Sequence, residues 1–125
     1  ENPISEFADS GGAINRIIEI ECSEDIYENP AEVNSIVMKN YGFAGRVFVG
    51  NIKKFESDEL KEMKMGIENE FEKYNFPAKQ VMAIATLLLA DKLATDCIFQ
   101  DGRALTVEDV AGIPTRKKDV SEGQR

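Results

Sequence analysis

The sequence predicts a mainly helical fold with a short β-strand near its N-terminus, which makes an α+β arrangement. Three observations support this prediction. Apolar residues recur every three or four positions over much of residues 57–99, as on the buried face of a helix. The pair Asn29-Pro30 has the form of a helix start. Residues 14–22 alternate between apolar and polar side chains, which is the two-residue period of a half-buried strand.

The composition is that of a globular chain, because 42% of its 125 residues are apolar and 30% are charged. The sequence starts at Glu1 rather than Met, so we expect the C-terminal segment of a larger protein. Residues 1–22 of this segment would form a loop and a strand, and residues 29–125 would form a helical region. The longest apolar run, residues 81–90, is about half the length that spans a bilayer. We therefore expect a cytoplasmic protein that does not contact a membrane.

The chain has no His and only two cysteines, Cys22 and Cys97. It cannot by itself supply a zinc site or a Ser-His or Cys-His catalytic centre. We expect both thiols to be buried and free. A net charge of −8 argues against this chain being the main phosphate-binding surface of a nucleic-acid-binding protein. The basic run at residues 116–118 is either a solvated turn or a nucleic-acid contact.

The predicted strand places Ile14, Ile18, Ile20 and Cys22 on one apolar face. Arg16 lies on the same face. A guanidinium group keeps its charge and is costly to bury alone, so Arg16 requires a carboxylate, a cluster of carbonyl groups or a phosphate beside it.

The first two predicted helices follow this strand. Asn29 caps a helix that extends to about Met38, and Gly42 is placed to end it in the left-handed conformation. Residues 45–55 fit either a buried strand or a short helix, and we favour the helix.

Three further helices are predicted in the second half of the chain. An amphipathic helix covers residues 57–74, and a second long helix runs over about residues 78–99. The leucines at 87–89 are expected to anchor the core or to pack on a missing part of the protein. Residues 106–112 form a short capped helix, and Ser121 is a candidate cap for another.

Four blocks of the sequence together resemble a known family. They are residues 11–20 (GGAINRIIEI), 40–45 (NYGFAG), 90–95 (ADKLAT) and 99–102 (FQDG). In combination they are similar to the C-terminal part of the domain of unknown function 927 family. Members of that family look like P-loop ATPases of the helicase or primase-helicase kind from phages and other mobile elements. Phe43 departs from the pattern, because a His is usual there.

The resemblance implies a nucleotide-dependent DNA helicase or translocase whose upstream α/β domain, of the P-loop ATPase kind, binds ATP and Mg²⁺. The present chain would be a helical subdomain packed on the end of that domain, without a cofactor of its own and without catalytic activity alone. Its partners would be the upstream ATPase domain and other copies of the protein, and the parent protein rather than this segment would contact DNA.

Arg16 is the candidate catalytic residue that the resemblance implies, as an arginine that senses the γ-phosphate. Asn15 beside it is a candidate nucleotide-binding residue. The alternative is a structural ion pair between Arg16 and either Glu19 or Asp91.

Two other groups of residues have alternative interpretations. Asn40, Tyr41 and Gly42 form either a turn that ends a helix or a surface that touches nucleotide or DNA. Lys92 and Asp96 lie four positions apart, which favours a salt bridge over an acid-base pair.

A second functional hypothesis comes from a different class of protein. The chain would be a non-enzymatic interaction module that binds another protein through exposed apolar faces of the helices at 57–74 and 78–99. A small hydrolase complete in itself is disfavoured by the absence of His.

Overall fold

The computed structural model describes residues 17–22 and 24–113, and these residues are mainly helical, as predicted. Five α-helices follow one another: α1 (Pro30–Lys39), α2 (Phe43–Ile52), α3 (Ser57–Glu70), α4 (Ala78–Ala94) and α5 (Val107–Ala111). A 3₁₀ turn, Phe71–Lys73, extends α3, and a π-helical turn, Thr95–Phe99, extends α4.

The predicted N-terminal strand is not shown by the described residues. Of residues 14–22, the structure describes 17–22, where Ile20 forms an isolated bridge and no strand is present. The predicted buried face is wrong for Ile20 and Cys22, which are both exposed. Ile18 is partly buried against the core, and the carbonyl oxygen of Ile17 accepts a 3.4 Å hydrogen bond from Gln80 Nε2. This hydrogen bond places the segment beside helix α4.

Helices α1 and α2 begin and end much as their sequences predict. The Asn29 side chain caps α1 by accepting a hydrogen bond of 3.1 Å from the backbone N–H of Glu32. At the other end, Asn40 Nδ2 donates to the carbonyl oxygen of Ile36 at 2.8 Å. Gly42 has the predicted left-handed backbone, with φ of 90°, and it lies at the start of α2. The ambiguous stretch after it is helical, as we favoured.

Helices α3 and α4 pack against each other and form the core. Phe71, Ile84, Leu88 and Val107 make one buried cluster. Phe76 packs against this cluster, and its ring contacts the Phe71 ring edge to face, with ring centroids 5.5 Å apart. Helix α4 contacts both α2 and α3, and the loop before α5 lines a cleft beside it.

The leucines of α4 do not share one environment. Leu88 and Leu89 are buried, as predicted, but Leu87 is 63% exposed. Helical geometry explains the difference, since consecutive residues are turned by about 100° and cannot face the same neighbour. The short helix after α4 also forms as predicted: Thr106 caps α5, and Gly112 follows its last residue.

Candidate interaction surface

The structure places only some of the predicted site residues. Asn15 and Arg16 lie outside the described residues, as do residues 116–118 and Ser121, so their predicted roles stay predictions. Asn40, Tyr41 and Gly42 form an exposed turn between α1 and α2, where the Tyr41 side chain is 77% exposed. The turn therefore ends α1, and its aromatic ring remains accessible to a ligand.

The apolar stripe of α1 is uncovered in the described part of the chain. The α1 stripe consists of Val33, Ile36 and Val37, which lie on one side of the helix because they are three or four residues apart. Ile36 is 54% exposed and Val37 is 55% exposed, whereas Val33 is partly buried. No residue of α1, all of which the structure describes, is buried. The apolar side of an amphipathic helix usually packs against another part of the protein. In the described residues, the apolar side of α1 has no such partner.

Helix α2 has one packed side and one open side. Phe48, Asn51 and Ile52 are partly buried where α2 lies against α4 and the π-helical turn. Phe43, Arg46 and Val47 share the opposite, exposed side, and Phe43 is 68% exposed. Phe43 and Tyr41 therefore place two exposed aromatic side chains close together in the sequence, at the start of α2.

The same part of the chain has an unusual charge distribution. Residues 33–55 contain no Asp or Glu and four basic residues, which are Lys39, Arg46, Lys53 and Lys54. Because all 23 acidic and 11 of the 15 basic residues lie elsewhere, the rest of the chain has a net charge of −12. We call residues 39–54 the basic-aromatic stretch. The prediction from net charge overlooked it, although the local charge is readable in the sequence.

All four basic side chains are exposed. Two ion pairs between described residues lie elsewhere, between Lys64 and Glu68 at 3.7 Å and between Lys92 and Asp96 at 3.1 Å. The cations of the basic-aromatic stretch are therefore not neutralised by described carboxylates at ion-pairing distance.

The Lys92–Asp96 ion pair confirms the predicted salt bridge. Both side chains are more than half exposed, which is typical of a solvated surface pair rather than an acid-base site. The neighbouring Asp91 uses its Oδ2 atom to accept a hydrogen bond of 2.7 Å from the backbone N–H of Leu105. That bond holds the loop before α5 against α4, so Asp91 has a structural role.

A cleft of about 280 Å³ lies between α3, α4 and the loop before α5. Its lining is mixed, with Ile67 and Leu88 beside Glu70 and Lys92. The nearby Thr106 hydroxyl accepts a hydrogen bond of 3.1 Å from Asp109 N as the helix cap. The Thr106 hydroxyl is thus engaged with Asp109 in the cap of α5.

The rest of the described structure adds no metal or thiol site. Residues 17–22 and 24–113 contain no group of three or more potential metal-ligating side chains. Both cysteines are free, but the prediction of buried thiols is wrong for Cys22, which is exposed, and Cys97 is only partly buried. Among these residues, no helix is both long and apolar enough to cross a bilayer.

No protein-family model, curated protein or solved structure matches this chain. A functional proposal for it depends on two surfaces that are adjacent in the sequence. The α1 stripe can bury apolar side chains against another protein, and the basic-aromatic stretch can attract a polyanion.

Proposed function

We propose that this chain is a non-catalytic helical region of a nucleotide-dependent DNA helicase or translocase, and that α1 docks it on the protein's ATPase domain. The uncovered α1 stripe is the observation that carries the docking role. The family resemblance supports the ATPase context, in which ATP and Mg²⁺ bind the upstream domain.

The size of the α1 stripe favours docking within one polypeptide. Fully burying a Val or Ile side chain contributes roughly 1.5 to 3 kcal/mol, and Ile36 and Val37 are already about half buried. Covering the stripe would then contribute only a few kcal/mol. Association of two separate molecules costs about 4 to 15 kcal/mol before any gain, whereas a covalently linked domain avoids most of that cost.

The test is ATP hydrolysis by the full-length protein, with and without single-stranded DNA, in matched variants. Ile36→Asp places a charge in the α1 stripe, and we expect it to abolish stimulation by DNA. Ser35→Asp changes the neighbouring exposed residue on another side of α1 and is expected to leave stimulation intact. Equal stimulation in both variants would contradict docking through α1.

The same assay tests the predicted role of Arg16. If Arg16 senses the γ-phosphate, Arg16→Ala lowers turnover at least tenfold, about 1.4 kcal/mol of transition-state stabilisation. Unchanged turnover at equal stability would assign Arg16 to a structural ion pair.

The alternative is a non-enzymatic helical module that binds another protein. The uncovered α1 stripe favours this alternative too, and Met65, Met82 and Leu87 remain exposed on α3 and α4. These two helices mostly cover each other, so most of the apolar surface that we expected to bind a partner lies in the core. A full-length protein without ATP hydrolysis and without a Gly-x-x-x-x-Gly-Lys-Ser/Thr segment would support the module.

A further inference from the structure

We infer that the basic-aromatic stretch, residues 39–54, binds single-stranded nucleic acid directly. Its first feature is charge. The stretch presents four exposed cations and no carboxylate, on a chain whose remaining residues carry a net charge of −12. Phosphate groups are attracted to clustered Lys and Arg side chains even when the whole chain is acidic, and the acidic residues nearest in sequence, Glu32 and Glu56, lie outside the stretch.

The second feature is the accessibility of two aromatic rings within the patch. Tyr41 is 77% exposed and Phe43 is 68% exposed, at the turn between α1 and α2. Large apolar rings gain by being covered, and nucleobases cover aromatic rings by stacking in a way that tolerates any base sequence. The combination of cations and exposed rings is the one that single-strand-binding surfaces use.

Helix α2 arranges the side chains of the basic-aromatic stretch along one line. Phe43, Arg46 and Val47 lie on the side of α2 that faces away from α4, and Lys53 and Lys54 follow the end of the helix. From Phe43 to Ile52 the helix rises about 15 Å. A strand stacked on Tyr41 and Phe43 can therefore extend along α2 with its phosphates near Arg46 and then near the two lysines.

Single-stranded nucleic acid fits this surface better than other polyanions. An acidic peptide would satisfy the cations but has no bases to cover the two rings. A duplex keeps its bases stacked inside, so the rings would meet only its backbone. This inference goes beyond the proposed function and does not depend on it, since binding requires neither ATP nor an ATPase domain.

The test is fluorescence anisotropy of a labelled oligothymidine of about 15 nucleotides, near the upper end of the sizes of single-strand binding sites. The full 125-residue chain is titrated without nucleotide. We expect saturable binding that weakens with salt, with a slope of log K against log [salt] near −0.7 for each phosphate contacted. Arg46→Ala should reduce that slope by about 0.7. Tyr41→Ala should weaken binding about tenfold, as expected for the loss of one stacking ring.

Two matched variants control for residue type. Tyr27→Ala removes another exposed Tyr, which lies between Asp25 and Glu28, and Lys79→Ala removes an exposed cation of α4. Both should bind like the unaltered chain, and circular dichroism checks that all variants fold alike. Equal losses in Tyr41→Ala and Tyr27→Ala would overturn the inference. So would displacement of the oligonucleotide by polyglutamate at equal charge concentration, because this result would identify an acidic polypeptide as the partner.

Discussion

Helices α1 and α2 leave Ile36, Val37 and Phe43 more than half exposed, whereas α3, α4 and α5 enclose Phe71, Leu88 and Val107 in one cluster. Helices α1 and α3 both have an amphipathic pattern, so the pattern alone does not decide which residues are buried. The difference is the presence of a partner surface. Helices α3 and α4 are joined by a short connection and cover each other, but α1 has no comparable neighbour among the described helices.

Apolar side chains thus have two different roles in this chain, one in folding and one in binding. The cluster around Phe71 stabilises the fold itself, because its side chains leave water when the chain folds. The α1 stripe gains that stabilisation only when another surface covers it. Substitutions in the first region should therefore change the free energy of unfolding, and substitutions in the second should change binding.

The largest expected effect is in the core and uses two neighbouring leucines. Leu88 is 5% exposed and Leu87 is 63% exposed. Leu88→Ala should lower the free energy of unfolding by about 2 to 5 kcal/mol, because it removes a buried side chain and leaves a cavity. Leu87→Ala should change it by less than about 0.5 kcal/mol. Urea denaturation followed by circular dichroism measures both values. A loss in Leu87→Ala as large as that in Leu88→Ala would show that α4 is covered on both sides.

Much of this fold could be predicted from local chemistry. Asn29 and Thr106 cap their helices because an oxygen-bearing side chain satisfies an N–H group that the first turn leaves unpaired. Gly42 adopts a positive φ because it lacks a Cβ atom. These predictions depend on a few neighbouring residues, so they needed no knowledge of the tertiary structure.

Predictions that depend on distant contacts were less successful. The alternation at 14–22 predicts a strand, and the described part of this segment, residues 17–22, shows only an isolated bridge at Ile20. The sequence predicts that Leu87 and Leu88 anchor the core or pack on a missing part of the protein, but it does not show which side of α4 is covered. The basic-aromatic stretch was overlooked for another reason, since a net charge averages over surfaces that lie far apart.

A smaller change in the free energy of unfolding is expected when the helix caps of the two regions are removed. Thr106→Ala removes the cap of α5, whose Val107 lies in the core, and should lower the free energy of unfolding by about 1 kcal/mol. Asn29→Ala removes the cap of α1, which has no buried residue, and should reduce local helicity with little change in global unfolding. Amide hydrogen exchange of α1 and urea denaturation separate the two outcomes. Equal losses of global stability would indicate that α1 folds cooperatively with the core.

The smallest expected effect is the pH dependence of the α5 cap. The backbone N–H of Thr106, 2.9 Å from Asp109 Oδ2, and then the Thr106 side chain lower the pKa of Asp109. A lowered pKa in the folded state means that the ionised carboxylate stabilises the fold above the pKa of an unfolded Asp, about 3.9. That stabilisation is lost as the pH falls through the lower folded pKa. Asp109→Asn should therefore be less stable than the unaltered chain at pH near 7, and the difference should shrink below pH about 4. A difference in urea midpoint that stays constant over this pH range would show that the carboxylate charge does not stabilise α5.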